Sequence, residues 1–169
     1  MSASIKLRPA QEGDIPFILR VNEENVEVLS PMDDLKLRLF MDTAAQVWVA
    51  EIDSELAGFL ITLREGLDYY KSENYLWFSR NYQRFLYIDR IVIDAPFRGM
   101  GVGRAFYRSV FSLAADQGIE HVTCEIDTIP YNEPSLKFHA AMGFREVGEQ
   151  FIRGGTVKVS LQEAPVKLG

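Results

Sequence analysis

The chain has few of the residues that would tie it together covalently or hold a metal. Its 169 residues include one cysteine, Cys124, and two histidines, His121 and His139. A lone cysteine excludes an intrachain disulfide and suits a reducing compartment. No metal-ligand spacing accompanies the two histidines, so no metal site is expected. No apolar run approaches the roughly 20 residues that a membrane-spanning helix needs. The N-terminus, Met1-Ser2-Ala3-Ser4-Ile5-Lys6, lacks a charged start followed by an apolar stretch, so no signal peptide is expected. There is no basic stripe either. The formal net charge is −6, which argues against a nucleic-acid partner and favours a cationic or neutral small one. These absences lead to the expectation of a cytoplasmic protein without nucleic-acid or membrane partners.

What is present is enough for one core. Hydrophobic residues make up 47% of the chain and aromatics 12%, which suits a folded single domain over residues 1–169 and is too little for two. Alternation marks Ile5–Arg8 as a first strand. Asp14 is placed to cap a helix that carries Ile15, Ile18, Leu19, Asn22 and Val26 on one face and runs to about Leu29. Leu35, Leu37, Leu39 and Phe40 belong to a second short helix. Residues 46–52 and 56–64 read as a hairpin about Asp53-Ser54. Residues 65–84 read as a long irregular loop rich in aromatics (Tyr69, Tyr70, Tyr75, Trp77, Phe78, Tyr82), suited to a pocket wall or a dimer contact. A central strand follows over 85–93. A helix with Val102, Phe106, Val110, Leu113 and Ala114 on one face then ends at Gly118. A strand over 121–127, a helix capped by Asn132 or Glu133 and ending at Gly143, and a hairpin of 144–153 with 156–161 complete the pattern. The tail from Gln162 reads as loose. The element order describes an α/β domain with a mixed sheet.

The stretch most telling of function is Ile93-Asp-Ala-Pro-Phe-Arg98-Gly99-Met100-Gly101-Val102-Gly103-Arg104, a strand leading through a glycine turn into a helix. Amides at a helix start lack intrahelical partners and sit at the positive end of the helix dipole, so they bind anions. Glycines let a phosphate approach closely, and Arg98 and Arg104 add charge. No Gly-Lys-Ser/Thr follows, which excludes a P-loop. Phe106 stands where the dinucleotide fingerprint needs its third glycine. A tight connection with no ligand fits these residues too, as does a phosphate-ligand module of another kind.

Arg98-x-x-Gly101-x-Gly103 resembles the acyl-CoA pyrophosphate motif of the GNAT superfamily of N-acyltransferases. Asn132-x-x-Ser135-x-x-x-His139-x-x-x-Gly143-Phe144 looks like that family's C-terminal motif, with His139 where the family usually has Tyr. The two blocks stand in the family's order, and the element order is similar over nearly the whole chain. The resemblance implies a mixed, mostly antiparallel central sheet flanked by helices, with acetyl-CoA as cosubstrate. The amides of Gly99, Met100, Gly101, Val102, Gly103 and Arg104, with Arg98, would hold the pyrophosphate. The strand Ile91-Val92-Ile93 would pair with pantetheine, its thioester lying where neighbouring strands part; Asn132 and Ser135 belong to the second block, Asn132 beside pantetheine. The acceptor, a small-molecule or protein amine, would enter from the first two helices and the 65–84 segment. A homodimer through the final hairpin is also in keeping with the family.

The chemistry then needs a base, an oxyanion donor and an acid. Asp89 shares a strand face with Ile91 and Ile93 and is the candidate base, with an ion pair to Arg90 as its structural alternative. A backbone N–H near Ile91 is the implied oxyanion donor. His139 is the candidate acid, with packing on its helix as the alternative and Tyr131 and Tyr107 in reserve. Glu23, Glu24, Asp33 and Asp34 would select a cationic amine or form a solvated face. Cys124 alternates with Val122 and Ile126 and reads as a buried core thiol. Direct N-acyl transfer is the expected activity, and a non-catalytic acyl-CoA sensor is the alternative.

Overall fold

The structure, a computed structural model, describes residues 4–168. Seven strands, in the order β1-β2-β3-β4-β5-β7-β6, make a mostly antiparallel sheet, and five α-helices complete the α/β fold. The strands are β1 (Ile5–Pro9), β2 (Gln46–Ile52), β3 (Glu55–Arg64), β4 (Leu86–Ile93), β5 (His121–Ile129), β6 (Arg145–Ile152) and β7 (Val157–Pro165). The helices are α1 (Ile15–Glu24), α2 (Asp34–Thr43), α3 (Glu73–Asn81), α4 (Val102–Asp116) and α5 (Glu133–Ala141). The chain divides into two compact units. One holds the residues up to Leu63 with Ile88–Val110, and the other holds Arg64–Tyr87 with the residues from Phe111 onward.

In the first unit β1 pairs with β2, and β2 with β3, all antiparallel. β3 is buried from Ala57 to Leu63, as its near-continuous apolar run requires. Gln46 and Thr62 are buried polar residues opposite each other, and the Thr62 hydroxyl donates to the Gln46 side-chain oxygen at 2.9 Å, which satisfies both. β3 meets β4 where the Asp94 amide donates to the Ala57 carbonyl at 2.8 Å. Next to this bond, a Cβ on Gly58 would lie 2.6 Å from the Val92 carbonyl, so only glycine fits. α1 buries Ile15, Ile18, Val21 and Asn22. It ends at Glu24 and not near Leu29, because Asn25–Leu29 turns away from the helical path. Asp14 does not cap α1 with its side chain. Its carboxylate accepts from the Gln11 amide at 2.8 Å and from Arg8 at 2.7 Å, which holds its pKa below the usual carboxylate range.

In the second unit β5 pairs with β7 and β7 with β6, and β4 pairs parallel with β5 at Leu86↔Val122 and Tyr87↔Thr123. Two expectations need correction here. Residues 65–84 are not one irregular loop, because α3 occupies Glu73–Asn81. Its Tyr75 and Phe78 are 1% and 0% exposed and pack edge-on or tilted against Phe85 and Tyr87. Phe78 is spent on core packing, while Tyr75 and Tyr82 also line a groove of about 550 Å³ formed by this segment, in keeping with a pocket wall. The Tyr75 hydroxyl also donates to the Arg64 carbonyl at 2.8 Å. The tail from Gln162 is not loose. β7 continues to Pro165, and Glu163 is 1% exposed. Such a buried carboxylate needs partners, and it has His121 Nδ1 at 2.7 Å and Arg145 Nε at 3.3 Å. Cys124 is buried as expected, and burial pushes its thiol pKa up.

The Gly58 contact gives a direct test of the β3–β4 junction. Gly58→Ala should lower stability by about 1–3 kcal/mol through overpacking against backbone that cannot yield. Urea denaturation of the two proteins measures it.

Candidate functional site

In the first unit, β4 ends at Ile93 and the chain crosses to α4 through a short turn. Asp94 begins it, its carboxylate accepting from the Ala95 amide at 3.1 Å, and a 3₁₀ turn over Ala95–Phe97 follows. Gly99 and Gly101 then take φ of 79° and 90°, in the left-handed region that other residues enter only with strain. The helical ladder of α4 opens with the Ala105 amide donating to the Gly101 carbonyl at 3.1 Å. The amides before it are those that a helix start leaves over. A Cβ on Gly99 or on Gly103 would meet nothing within 4 Å. The space over the turn is therefore open, and the sequence-predicted donors from Gly99 to Arg104 lie in one short stretch beside it.

The strand edge continues this arrangement. In a β-strand the polar groups of successive residues point to alternate sides. Asp94 bonds β3 through its amide, and the Val92 carbonyl lies against Gly58 of β3. The backbone groups of Ile91 and Ile93 therefore face away from β3. The Ile93 carbonyl accepts from Arg98 Nε at 3.4 Å on that side. Val92 is a β3-facing residue, so of the expected strand contacts only Ile91 and Ile93 offer their backbone outward.

A groove of about 280 Å³ runs along this edge, lined by Asn25, Val28, Leu29, Ile91, Val92, Ile93 and Arg98. Sequence reasoning missed Val28 and Leu29, because it took residues up to Leu29 for helix. It also missed what fixes them. Arg90 is 4% exposed, and its guanidinium reaches Asn22 Oδ1 at 2.9 Å, the Ser30 carbonyl at 3.1 Å and Ser30 Oγ at 2.9 Å. Asn22 Nδ2 donates to the same Ser30 carbonyl at 3.2 Å. The loop that carries Val28 and Leu29 is thus held at Ser30 by β4 and α1 together.

Asp89 is placed by the same guanidinium. Its carboxylate lies 2.6 Å from Arg90 Nε, and both side chains are almost wholly buried. Asp89 is not among the groove-lining residues. Of the acidic residues expected on the acceptor side, Glu24 pairs with Arg20 at 2.8 Å and Asp34 with Arg38 at 2.7 Å. Asp33 caps α2 through the Lys36 amide at 2.8 Å. Glu23 lines a separate surface groove with Pro31, Met32, Asp33 and Lys36.

In the second unit, Asn132 caps α5, its side-chain oxygen accepting from the Ser135 amide at 3.3 Å. One turn on, His139 Nδ1 donates to the Ser135 carbonyl at 2.7 Å, with Ser135 Oγ at 3.3 Å. The imidazole packs edge-on against Phe138 and Phe144 and is 8% exposed. Burial lowers its pKa, and the bond to Ser135 only partly offsets this. The second sequence block is thus brought together as capped helix and packed ring. Tyr131, beside it, is 68% exposed, whereas Tyr107 of the first unit is 7% exposed. Among the described residues no helix is long and apolar enough to cross a membrane, and no three His, Cys, Asp or Glu side chains cluster as a metal site would require.

Comparison with known proteins agrees with this fold. Residues 16–144 match the Acetyltransferase (GNAT) family, and the chain belongs to that family. Thialysine N-epsilon-acetyltransferase of Bos taurus is 27% identical over 158 residues, covering 87% of this chain and 88% of that protein. N-acetyltransferase 8 of Homo sapiens is 23% identical over 134 residues, covering 75% of this chain and 50% of that one. N-acetyltransferase 8F1 of Rattus norvegicus is 23% identical over 113 residues, covering 67% of this chain and 45% of the relative. This chain thus spans about half the length of the N-acetyltransferase 8 relatives. Among solved structures, Arabidopsis thaliana NAA60 with a bisubstrate analogue superposes with a TM-score of 0.76 at 16% identity, covering 98% of this chain and 100% of that one. The ribosomal-protein-S18-alanine N-acetyltransferase from Escherichia coli gives 0.73 at 13%, covering 98% and 96%. At these identities the structural likeness establishes the fold.

The packed imidazole makes stability depend on pH. Its folded pKa lies below the unfolded value of about 6.5, so the unfolded chain binds the proton first. Its contribution is whole above about pH 6.5 and declines as pH falls below that toward the folded pKa. Denaturant midpoints at pH 7.5 and 5.5 should therefore differ more for wild type than for His139→Gln.

Proposed function

We propose that the protein moves an acetyl or other short acyl group from acyl-CoA to a primary amine by direct transfer. The observation that carries this reading is the open helix start over Gly99 and Gly103, continuous with the outward edge of Ile91 and Ile93. A diphosphate fits that cradle, since its space would be narrowed by any added Cβ.

When bound, acyl-CoA supplies an activated thioester carbonyl. The amides from Gly99 to Arg104, with Arg98, hold its diphosphate. To do so Arg98 leaves the Ile93 carbonyl, which frees that edge for the pantetheine amides. The Ile91 N–H is the donor for the carbonyl oxygen as negative charge develops there. Of the second block, Asn132 is the residue that the family likeness sets beside pantetheine; the cap engages its side-chain oxygen and leaves its amide nitrogen as a donor.

Proton handling is the demanding part. Asp89 is engaged by Arg90 through Oδ2 and does not line the groove. His139 can serve as acid only in its charged form, which burial disfavours. Those two observations favour a second reading, a protein that binds acyl-CoA and does not turn it over. Release of free thiol from acetyl-CoA across a panel of amines separates the two.

Two variants test the assignments. Gly103→Ala replaces a helical glycine that has open space around it, so the melting temperature should hold or rise. CoA affinity should fall about tenfold or more as the methyl meets the diphosphate, measured by calorimetry. An unchanged affinity overturns the diphosphate site. Asp89→Asn keeps the shape and removes the charge. A loss of turnover together with a shifted pH–rate profile supports the base role, whereas a lowered melting temperature with turnover retained assigns Asp89 to the ion pair.

A further inference from the structure

Two cations crowd one spot in the first unit. Arg90, whose side chain is almost wholly buried, donates to Ser30 Oγ at 2.9 Å. The Lys36 ammonium donates to the same hydroxyl oxygen at 3.5 Å and to the Pro31 carbonyl at 3.4 Å. Both charges also lie 5.9 Å from the centre of the ring of Phe40, a fully buried residue. The acids around them are Asp89 of β4, Asp33 at the start of α2 and Glu23 of α1. Asp89 is engaged by Arg90 at 2.6 Å, and Asp33 by the Lys36 main-chain amide at 2.8 Å.

Like charges held close together where water is scarce oppose each other, and the group able to give up a proton yields. A guanidinium stays charged at any physiological pH, so that group is Lys36. Burial and the Arg90 charge pull its pKa below the ordinary lysine value, and Asp89 and Asp33 draw it back the other way. A larger share of Lys36 is therefore neutral amine, with a lone pair to attack with. An amine desolvated beside a second cation is a recurrent way of making a lysine nucleophilic. Lys36 also lines an open groove of about 400 Å³ with Glu23, Pro31, Met32 and Asp33, which gives an electrophile a way in and an added acyl group a place to lie.

We propose that Lys36 is an acylation site on the protein itself, its Nζ taking acyl groups from thioesters. The neutral amine attacks the thioester carbonyl. The C–N bond forms, the C–S bond breaks, and the departing thiolate takes up the amine's proton as free thiol. The product is an uncharged amide with one N–H, which cannot serve both Ser30 and Pro31. Acylation thus relieves the crowding and loosens one hold on the loop between α1 and α2. The reactivity of Lys36 stands apart from the acyltransferase reading, because it needs a thioester and not a bound CoA.

The test maps acetylated peptides by mass spectrometry after timed exposure to acetyl-CoA or to S-acetyl-N-acetylcysteamine, a thioester without the diphosphate. Lys137, whose side chain is 76% exposed, is the internal reference. Lys36 should label about tenfold or more faster than Lys137 at pH 7.5. Its rate should also level off at a lower pH than that of a lysine peptide in solution, whose amine has a pKa of about 10.4. Arg90→Gln should slow labelling of Lys36, since loss of the second cation favours the ammonium. That variant also strips Asp89 of its partner, so the wild-type pH profile carries the same test where the variant does not fold. Equal rates with the two thioesters support an intrinsically reactive amine. A faster rate with acetyl-CoA, suppressed by free CoA, supports the same site with its acyl group delivered from the diphosphate cradle. Selective labelling of Lys36 by the small thioester, with no heat when CoA is titrated, sustains the acylation site and brings down the transferase reading. No preference for Lys36 over Lys137 with either thioester overturns the proposal, as does a Lys36 rate that climbs with pH in step with the lysine peptide.

Discussion

A guanidinium sealed from water must be satisfied on every side, and Arg90 meets that requirement by drawing three segments together. Asp89 supplies the charge, Asn22 of α1 an amide oxygen, and Ser30 both its carbonyl and its hydroxyl. Losing one partner of such a buried pair typically costs about 3–5 kcal/mol, because the other is left charged and uncompensated. The arrangement is therefore stiff, and what it stiffens is the loop after α1, a stretch with no regular structure of its own. The groove wall has its shape because a strand residue reaches out to hold it. Asp89 is in the same position. Its carboxylate is as much a part of this clasp as of any chemistry at the strand edge.

Much of this was legible in the sequence. The alternation in β1, the apolar runs of β2 and β3 and the amphipathic face of α4 follow directly from the residues and their spacing. The glycine turn was legible too, since positive φ at Gly99 and Gly101 is what that residue type implies. Two of the chain's departures from expectation share a cause, which is that long-range partners decided them. Residues 73–81 looked polar and irregular, yet Tyr75 and Phe78 sit three apart and found Phe85 and Tyr87 to pack against. Glu163 looked like part of a solvated tail, yet His121 and Arg145, 42 and 18 residues away, make its burial tolerable. Asn25 to Leu29 continued the apolar spacing of α1, but Asn25 leaves the helical path and its side-chain amide donates to the Val21 carbonyl at 2.8 Å, which closes the helix end.

The candidate site was legible to a different degree in its parts. Backbone recognition leaves a strong trace, because glycines and a helix start are visible as a pattern. Proton transfer leaves a weak one. Asp89 and His139 were identifiable as titratable residues in the right places, but their surroundings decide what they can do. Arg90 lies adjacent in the chain and its pairing with Asp89 was foreseeable. The ring packing of Phe138 and Phe144 about His139, and the bond of Nδ1 to the Ser135 carbonyl, depend on how α5 folds back on Phe144.

The turn before α4 offers its main chain where many sites offer side chains, and this divides what the chain can easily change in descent. Replacing the side chain of Met100, Val102 or Arg104 leaves an N–H donor in place, whereas Gly99 and Gly101 are held to glycine by their positive φ. Val28, 65% exposed, and Leu29 stand on a loop anchored from elsewhere, and new residues there would disturb little of the core. Donor recognition by main chain and the shape of that loop can therefore change independently of each other.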